Sequence, residues 1–186
     1  MAKLNLKLIL AGAGGVGKTS LVKRYTTEEF SKSYQMTLGV ELYTREVTIQ
    51  NEKIMLNIHD LAGQERFAKF RKVYLRNAEL GLLVFDLTRK TSLDDLESLW
   101  LPEINEMLSN STNKRKEEFL VVLIGNKVDL CKQYRGVEQK DVDKFISSQK
   151  RKFQFIKILN YFETSALTKE NVESAFNHLL QEYLKE

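Results

Sequence analysis

The chain has 186 residues, of which 42% are hydrophobic, and its 29 basic and 25 acidic residues give a net charge of +4. This length and apolar content favour one compact domain over residues 1–186 and exclude a disordered protein. The only cysteine, Cys131, excludes an internal disulfide, and no apolar run is long enough to cross a bilayer, so we expect a cytoplasmic protein. The most basic clusters, at 114–116 and 150–152, are short, and two glutamates follow the first. They indicate solvated loops and no nucleic-acid partner.

Segments typical of strands and of helices alternate along the chain. We predict strands near 4–10, 39–49, 53–59, 81–87, 119–125 and 153–163. We predict helices near 18–28, 66–77, 92–109, 138–150 and 169–184. The stretch 45–60 is expected to form a hairpin that turns at 50–52, and Pro102 is expected to loosen one helical turn. The alternation predicts a three-layer α/β fold with a six-stranded, mostly parallel sheet, one antiparallel strand and about five flanking helices.

The stretch GAGGVGKTS (12–20) gathers four of the nine glycines between a predicted strand and a predicted helix. It fits the phosphate-binding pattern G-x-x-x-x-G-K-[ST] from Gly12 to Thr19. Without side chains, successive backbone N–H groups can turn inward around an anion, and the helix N-terminus adds positive charge. We expect Lys18 to reach the β- and γ-phosphates of a nucleotide and Thr19 to offer its hydroxyl to Mg²⁺. The residues expected around the phosphates are Gly14, Gly15, Val16, Gly17, Lys18, Thr19 and Ser20.

A second group of polar residues, HDLAGQERF (59–67), follows the predicted hairpin. Asp60 ends a strand beside the phosphate loop, where a carboxylate can hold a Mg²⁺-bound water. Gly63 leaves the backbone free to approach a γ-phosphate, and Gln64 can orient a water molecule through its amide. The pattern D-x-x-G alone is a weak indication of a nucleotide site. It becomes informative here because it follows a phosphate loop, with one hairpin between them.

The stretch GNKVD (125–129) ends an apolar predicted strand and indicates which base is bound. Guanine presents two donors on one edge that a carboxylate can accept together, whereas adenine presents a bare lone pair there. Asp129 is therefore expected to bind guanine and repel adenine, a polar match that can discriminate by ~10⁴-fold. Asn126 can tie the base to the loop, and the stem of Lys127 can cover one ring face. A third loop, ETSAL (163–167), contains Ser165, Ala166 and Leu167, of which Ala166 would offer its N–H to guanine O6.

These stretches, together with TLGVE at 37–41, occur in the order found in the Ras superfamily of small GTPases, which the chain resembles over essentially its whole length. It is most similar to Rab proteins in TLGVEL (37–42), AGQERF (62–67), YLRNA (74–78) and LLVFDLT (82–88). WLPEI (100–104) is closer to the Rho form of that helix. The resemblance implies a P-loop G domain that binds GTP or GDP with Mg²⁺ and acts as a switch.

The resemblance also assigns roles within two switch segments. Phe30 would pack against guanine, and Tyr34 would lie over the phosphates. In switch I, around Thr37, this threonine would bind Mg²⁺ by its hydroxyl and the γ-phosphate by its N–H. Gly63 and Gln64 would be the switch II pair, and Gln64, Lys18 and Gly63 would serve hydrolysis. No arginine stands at 34–36 to act in cis, so slow intrinsic hydrolysis and an arginine from an activating protein are expected.

The resemblance further implies partners. A monomer would meet an exchange factor, an activating protein and effectors through the switch segments. The aromatic trio by which Rab effectors sense the nucleotide aligns with Leu42, His59 and Tyr74, so two large rings are replaced. A more polar contact surface and a histidine that titrates near neutral pH are expected there.

Several positions depart from the family pattern. Leu61 stands where the family has threonine, and Leu167 stands where lysine is common. The segment 149–166 is longer than expected, and an elongated strand or a surface bulge explains it without a function. The N-terminus lacks a signal-peptide pattern, and the tail YLKE lacks the cysteines of prenylated Rabs. Three explanations of the tail stay open: a cut before such cysteines, membrane contact through a partner, or no membrane contact.

Two other functions remain open at this point. A P-loop nucleotide kinase would leave GNKVD unexplained and needs an arginine-bearing lid that is not evident. A pseudo-GTPase scaffold would not need the set of polar residues that the chain retains.

Overall fold

The computed structural model describes residues 3–27, 36–109, 118–153 and 155–185. Its strands are β1 Leu4–Ala11, β2 Val40–Ile49, β3 Glu52–Leu61, β4 Leu80–Asp86, β5 Phe119–Asn126 and β6 Ile156–Thr164. Its helices are α1 Lys18–Thr27, α2 Ala68–Leu75, α3 Lys90–Asp95, α4 Leu101–Ser109, α5 Gln139–Lys152 and α6 Val172–Lys185. Short 3₁₀ turns lie at Glu65–Phe67 and Val128–Leu130, and a π turn at Leu96–Trp100 joins α3 to α4.

The strands form one six-stranded sheet in the order β2-β3-β1-β4-β5-β6. Only the β2–β3 pair is antiparallel, which confirms the predicted α/β class. β4 and β5 are buried along their whole length, as their apolar sequences require of strands covered on both faces. Helices α1 and α6 pack on one face and α2 to α5 on the other, which gives three layers. Among the described helices, none is long and apolar enough to span a membrane.

Pro102 has the predicted effect on its helix. The five residues before Leu101 form a π turn, in which the Leu101 N–H donates to the Leu96 carbonyl. Proline has no N–H to bond the carbonyl of Ser98, so the regular ladder is interrupted at this point. Trp100, in the π turn, is fully buried against the sheet.

The long segment 149–166 also has a structural explanation. α5 continues to Lys152, and β6 contains a bulge: Val121 pairs with Ile158, whereas its neighbour Val122 pairs with Asn160. Leu159 is therefore the extra residue, and this bulge is one of the two structural explanations expected for the segment.

The parallel strands place the loops of interest side by side. β1, β3, β4, β5 and β6 all run in the same direction, so their carboxyl ends meet at one edge of the sheet. The loops that follow these strands begin at residues 12, 62, 87, 127 and 165. Ligands bind at such an edge in open α/β sheets, so this edge is the candidate site.

Candidate functional site

The glycine loop after β1 is fixed by close backbone packing. Gly12 has a φ of +150°, and a Cβ there would overlap the carbonyl oxygen of Val84 in β4. Gly17 has a φ of +97°, and a Cβ there would overlap the side-chain nitrogen of Asn126. Only glycine fits either position, which explains why the loop is so poor in side chains.

Lys18 begins α1 and is buried in this loop. Its Nζ donates to the carbonyl oxygens of Gly12 at 2.7 Å and Ala13 at 2.9 Å. Burial lowers the pKa of Lys18 to about 8; Asp60 acts in the opposite direction, and the charges of Arg71 and Arg89 add to the lowering. An ammonium held by two neutral carbonyls and repelled by two cations would be stabilised by a bound anion.

Three side-chain oxygens converge where α1, switch I and β3 meet. The Thr19 hydroxyl donates to Asp60 Oδ2 and lies 2.9 Å from the Thr37 hydroxyl, which is itself 3.5 Å from the same carboxylate oxygen. Asp60 is fully buried, and its Oδ1 accepts no hydrogen bond from the described residues. Burial raises the pKa of Asp60 to about 6.

This cluster fits a magnesium ion. Mg²⁺ prefers oxygen ligands and is commonly bound by one or two carboxylates together with substrate phosphates. The cluster supplies one carboxylate with an unpaired buried oxygen and two hydroxyls, beside a phosphate-type loop. A divalent cation would also satisfy the unpaired oxygen and favour the ionised form of Asp60.

Switch II lies directly against the glycine loop. A Cβ on Gly63 would overlap the backbone of Ala13 and Gly14, so this position requires glycine. Gln64 lies beside it: its Cγ is 3.7 Å from the Cβ position of Gly14, and its amide contacts the sulfur of Met36 at 2.6 Å. Residues 36–37 and 63–64 thus meet at one end of the loop.

A buried arginine in α2 holds switch II in this position. Arg71 donates to the Gln64 carbonyl at 2.7 Å and forms a bidentate ion pair with Glu103 at 2.8 and 3.2 Å. Its guanidinium lies 4.4 Å from the ring centroid of Trp100. Arg71 was not predicted from the sequence; its one signal there was its place a helical turn before the buried Leu75.

Asn126, at the end of β5, connects three loops. Its Nδ2 donates to the Val16 carbonyl at 2.9 Å. Its Oδ1 accepts from the Thr164 hydroxyl at 3.1 Å and the Ala166 N–H at 3.3 Å. The side chain is buried and joins the glycine loop to the loop after β6.

The remaining base-loop residues are held by neighbouring side chains. Asp129 accepts at Oδ1 from the Ser165 hydroxyl at 2.5 Å, and Ser165 accepts from the Thr168 N–H at 3.0 Å. Lys127 has a φ of +69°, and its Nζ lies 2.6 Å from Asp86 Oδ2. These contacts fix the loop that sequence reasoning assigned to the base.

The structure brings the predicted site residues that it describes to this edge of the sheet. Phe30 and Tyr34 lie outside the described residues. The Ala166 N–H, predicted to bind guanine, donates here to Asn126. Leu167 is largely exposed, whereas the departure at Leu61 is fully buried at the end of β3. The apolar Leu61 thereby joins the core beneath switch II.

The predicted effector trio forms a contiguous surface. Leu42 pairs with His59 across β2 and β3, and the rings of His59 and Tyr74 are 6.1 Å apart. The prediction that His59 titrates near neutral pH was wrong. Burial, and secondarily the charge of Lys7, lower the pKa of His59 to about 4, so the imidazole is neutral at pH 7.

A second arginine that sequence reasoning missed touches the glycine loop. Arg89 follows β4, and its guanidinium donates to the Gly14 carbonyl at 2.7 Å. Its signal was its position just after the apolar strand LLVFDL, whose carboxyl end adjoins the glycine loop in a parallel sheet.

Comparisons with known proteins agree with this geometry. The profile of the Ras family matches residues 7–185. The Ypt/Rab-type GTPase Rab7 of Neurospora crassa is 36% identical over 99% of this chain and 87% of its own length. Two other similar proteins are the Ypt/Rab-type GTPase ypt7 of Pyricularia oryzae, at 36% identity over 99% and 87%, and the GTP-binding protein yptV5 of Volvox carteri, at 34% over 97% and 82%.

Proposed function

The chain belongs to the Ras family and is a GTP hydrolase that acts as a GTP-dependent switch, and from this premise we propose which residues carry the cycle. The observation on which the proposal rests is the convergence of Thr19, Thr37 and Asp60. These oxygens come from the phosphate loop, switch I and β3, so a ligand that binds them links the nucleotide to both switches. No observation favours a nucleotide kinase or a scaffold without activity.

Thr19, Thr37 and Asp60 would hold Mg²⁺ with the nucleotide. When bound, Mg²⁺ would neutralise charge on the β- and γ-phosphate oxygens. The N–H groups of 14–20 would bind the phosphates, and Lys18 would exchange its two carbonyl partners for phosphate oxygens. That exchange is favourable because an ammonium bonds an anionic oxygen more strongly than a neutral one.

Hydrolysis would depend on Gln64 and Gly63. The Gln64 amide, which contacts the soft sulfur of Met36 at 2.6 Å, would turn to orient the attacking water. The Gly63 N–H would bind the γ-phosphate, because this residue already lies against the loop backbone. Arg71 would keep Gln64 and Gly63 in position, because its guanidinium donates to the Gln64 carbonyl.

The same contacts would make hydrolysis a switch. Thr37 and Gly63 would each contact the γ-phosphate, so its loss would release both segments. We expect the GTP form to bind effectors through the switches and through the surface of Leu42, His59 and Tyr74. An exchange factor and an activating protein would complete the cycle.

Guanine would be selected by Asp129, with Asn126, Lys127, Ser165, Ala166 and Leu167 around it. The Asp129 carboxylate would accept both donors of the guanine edge, and the Ser165 hydroxyl at 2.5 Å holds that carboxylate in place. We place the protein in the cytoplasm as a single-domain monomer, peripheral to membranes, without nucleic-acid partners. This placement extends the similarity to Ypt/Rab-type GTPases.

Single-turnover hydrolysis tests the proposal. Protein loaded with GTP should form GDP in the presence of Mg²⁺ and stop when the ion is chelated. Thr19→Asn should favour GDP or the empty state, because its side chain disturbs the oxygen cluster. Thr26→Asn, two turns further along the same helix, where the hydroxyl donates to the Val22 carbonyl at 2.9 Å, serves as the control. Equal hydrolysis with and without the ion would contradict the assignment of Thr19, Thr37 and Asp60.

A further inference from the structure

Arg24, in the last turn of α1, reaches the loop that follows β6. Its Nε donates to the carbonyl oxygen of Ala166 at 2.9 Å, and its Nη2 donates to that of Leu167 at 3.2 Å. A guanidinium carries several donors in one rigid plane, so a single side chain can bind both carbonyls at once. Arg24 thus joins the helix that begins at Lys18 to the loop predicted to contact the base.

Ala166 is held at both of its backbone groups. Its N–H donates to Asn126 Oδ1 at 3.3 Å, and its carbonyl accepts from Arg24. The residue itself is buried. A bond of 3.3 Å is longer than usual for an N–H donor, and one N–H can be shared between two acceptors. The Ala166 N–H is therefore fixed in place and keeps capacity for a second acceptor, such as the 6-oxygen of guanine.

The residues on either side of Ala166 are held in other ways. Ser165 is bonded within the base loops, because its N–H donates to the Glu170 carbonyl at 3.1 Å and its hydroxyl donates to Asp129 at 2.5 Å. Leu167 is 44% exposed, so its side chain contributes little packing that could hold the backbone. Loss of the Arg24 bonds would therefore leave the carbonyls of Ala166 and Leu167 to water and give their peptide units more freedom.

We propose that Arg24 is a positioning residue that aims the Ala166 N–H at the 6-oxygen of guanine. The inference rests on the proposed nucleotide site and deepens it. Asp129 would accept the N1–H and 2-amino donors of the base, and the Ala166 N–H would donate to the acceptor beside them. Arg24 would act on this second contact, because its guanidinium bonds the carbonyl of Ala166 itself.

The two contacts can be separated by changing the base. Inosine diphosphate lacks the 2-amino group of guanine but keeps the N1–H and the 6-oxygen. The diphosphate of 2-aminopurine riboside keeps the 2-amino group but lacks the 6-oxygen. A variant that disturbs the 6-oxygen contact should lose affinity for the first nucleotide and not for the second. A general loosening of the fold would weaken the binding of all nucleotides alike.

The test compares Arg24→Ala and Arg24→Lys with Lys23→Ala, using each of the three diphosphates in competition with a fluorescent GDP analogue. Arg24→Ala should bind GDP and inosine diphosphate about 3- to 10-fold more weakly, the effect of losing one neutral hydrogen bond. Its affinity for the 2-aminopurine nucleotide should stay within about twofold, because no 6-oxygen is present to lose a bond. Arg24→Lys should be intermediate, because an ammonium can bond one carbonyl but lacks the planar fork.

Lys23→Ala is the matched control. It removes the neighbouring cation of the same helix and leaves the bonds of Arg24 to Ala166 and Leu167 in place. All three affinities should stay within about twofold of those of the unmutated protein. If Arg24→Ala fails to fold, Arg24→Lys carries the same comparison with a smaller ratio.

A second readout does not depend on affinity. In GDP-bound protein, hydrogen exchange of the Ala166 amide, followed by NMR, reports how firmly this N–H is held. Arg24→Ala should make that exchange several-fold faster and leave the amide of Val122, in the buried β5, unchanged. An equal loss of affinity for all three nucleotides, or unchanged affinity and exchange, would overturn the role of Arg24. Failure of the unmutated protein to bind any of the three would instead overturn the proposed function.

Discussion

The two ends of the candidate site are stabilised in different ways. At the base end, Asn126 bonds Val16 and Thr164, and Asp129 accepts a hydrogen bond from the Ser165 hydroxyl. At the phosphate end, Asp60 keeps an unpaired oxygen, and its pKa is raised to about 6 by burial. Lys18, also at this end, has its pKa lowered to about 8.

This difference separates a preorganised half from a responsive half. The base end loses little conformational freedom on binding, because its side chains are already held. The phosphate end contains buried charged groups whose desolvation a bound ligand would offset, and these groups adjoin the segments that would switch. Substitutions at the base end should abolish binding of the guanine nucleotide. Substitutions at the phosphate end should change how the protein responds to the bound nucleotide.

The largest expected effect is at the base end. Asp129→Asn should weaken GTP binding by about 10³- to 10⁴-fold, since an amide cannot accept both guanine donors. Xanthosine triphosphate should be preferred instead, because the new amide can donate to the 2-carbonyl of xanthine. Equilibrium titration with both nucleotides measures the change. Asp143→Asn, on an exposed face of α5, is the matched control, and equal affinity of Asp129→Asn for both nucleotides would refute the assignment.

The next effect concerns Asp60 in protein without nucleotide or magnesium. Its pKa in the folded chain, about 6, lies above the ordinary 3.8. The protonated carboxyl therefore contributes stability that is complete below pH 3.8 and is lost as the pH rises through 6. Over this window the free energy of unfolding should fall relative to Asp60→Asn by up to about 3 kcal/mol.

Urea unfolding at intervals between pH 4 and 7 tests this prediction. Asp86 provides the contrast, because its bonds to Lys127 and Thr88 lower its pKa despite the opposing effect of burial. Its contribution should stay constant over this range and be lost only as the pH falls below 3.8. Curves for Asp60→Asn and the unmutated protein that stay parallel across the window would show that Asp60 does not carry this strain.

A third substitution should affect GTP hydrolysis while leaving GTP binding nearly unchanged. Gln64→Leu should keep GTP affinity within about threefold but slow hydrolysis by about 10²-fold, because leucine fills the space without orienting water. Gln139→Leu, on the exposed start of α5, is the control. If Gln64→Leu turned over GTP as fast as the unmutated protein, with and without an activator, switch II would have no catalytic role.

The smallest effect lies on the outer surface of the responsive half. Leu42→Phe with His59→Trp should restore the aromatic trio with Tyr74 and strengthen GTP-dependent binding of Rab effectors by about 2 kcal/mol. Binding of a panel of effectors to GTP- and GDP-loaded protein measures the gain. Tight binding by the unmutated protein, with no improvement in the double variant, would contradict the idea.

Patterns local in sequence predicted most of the fold and the site. Apolar runs identified the buried strands, and glycines with a following Lys18 identified the phosphate loop, because each signal is contained within about ten residues. Arg71 and Arg89 were missed since their partners lie 32 and 75 residues away. The pKa of His59 was predicted wrongly because burial between β3 and α2 is not a property of the local sequence.

The hydrogen bonds of Asn126 also bear on how the chain folds during its synthesis. They join residue 126 to Val16, 110 residues earlier, and to Thr164, 38 residues later. A ribosome adds about 5–20 residues each second, so for several seconds the glycine loop exists without its last partners. A nascent chain that stops before β6 would therefore have strands β1 to β5 available for pairing but an incomplete base loop. Nucleotide capture is therefore expected to be a late event of biosynthesis, which follows the emergence of β6.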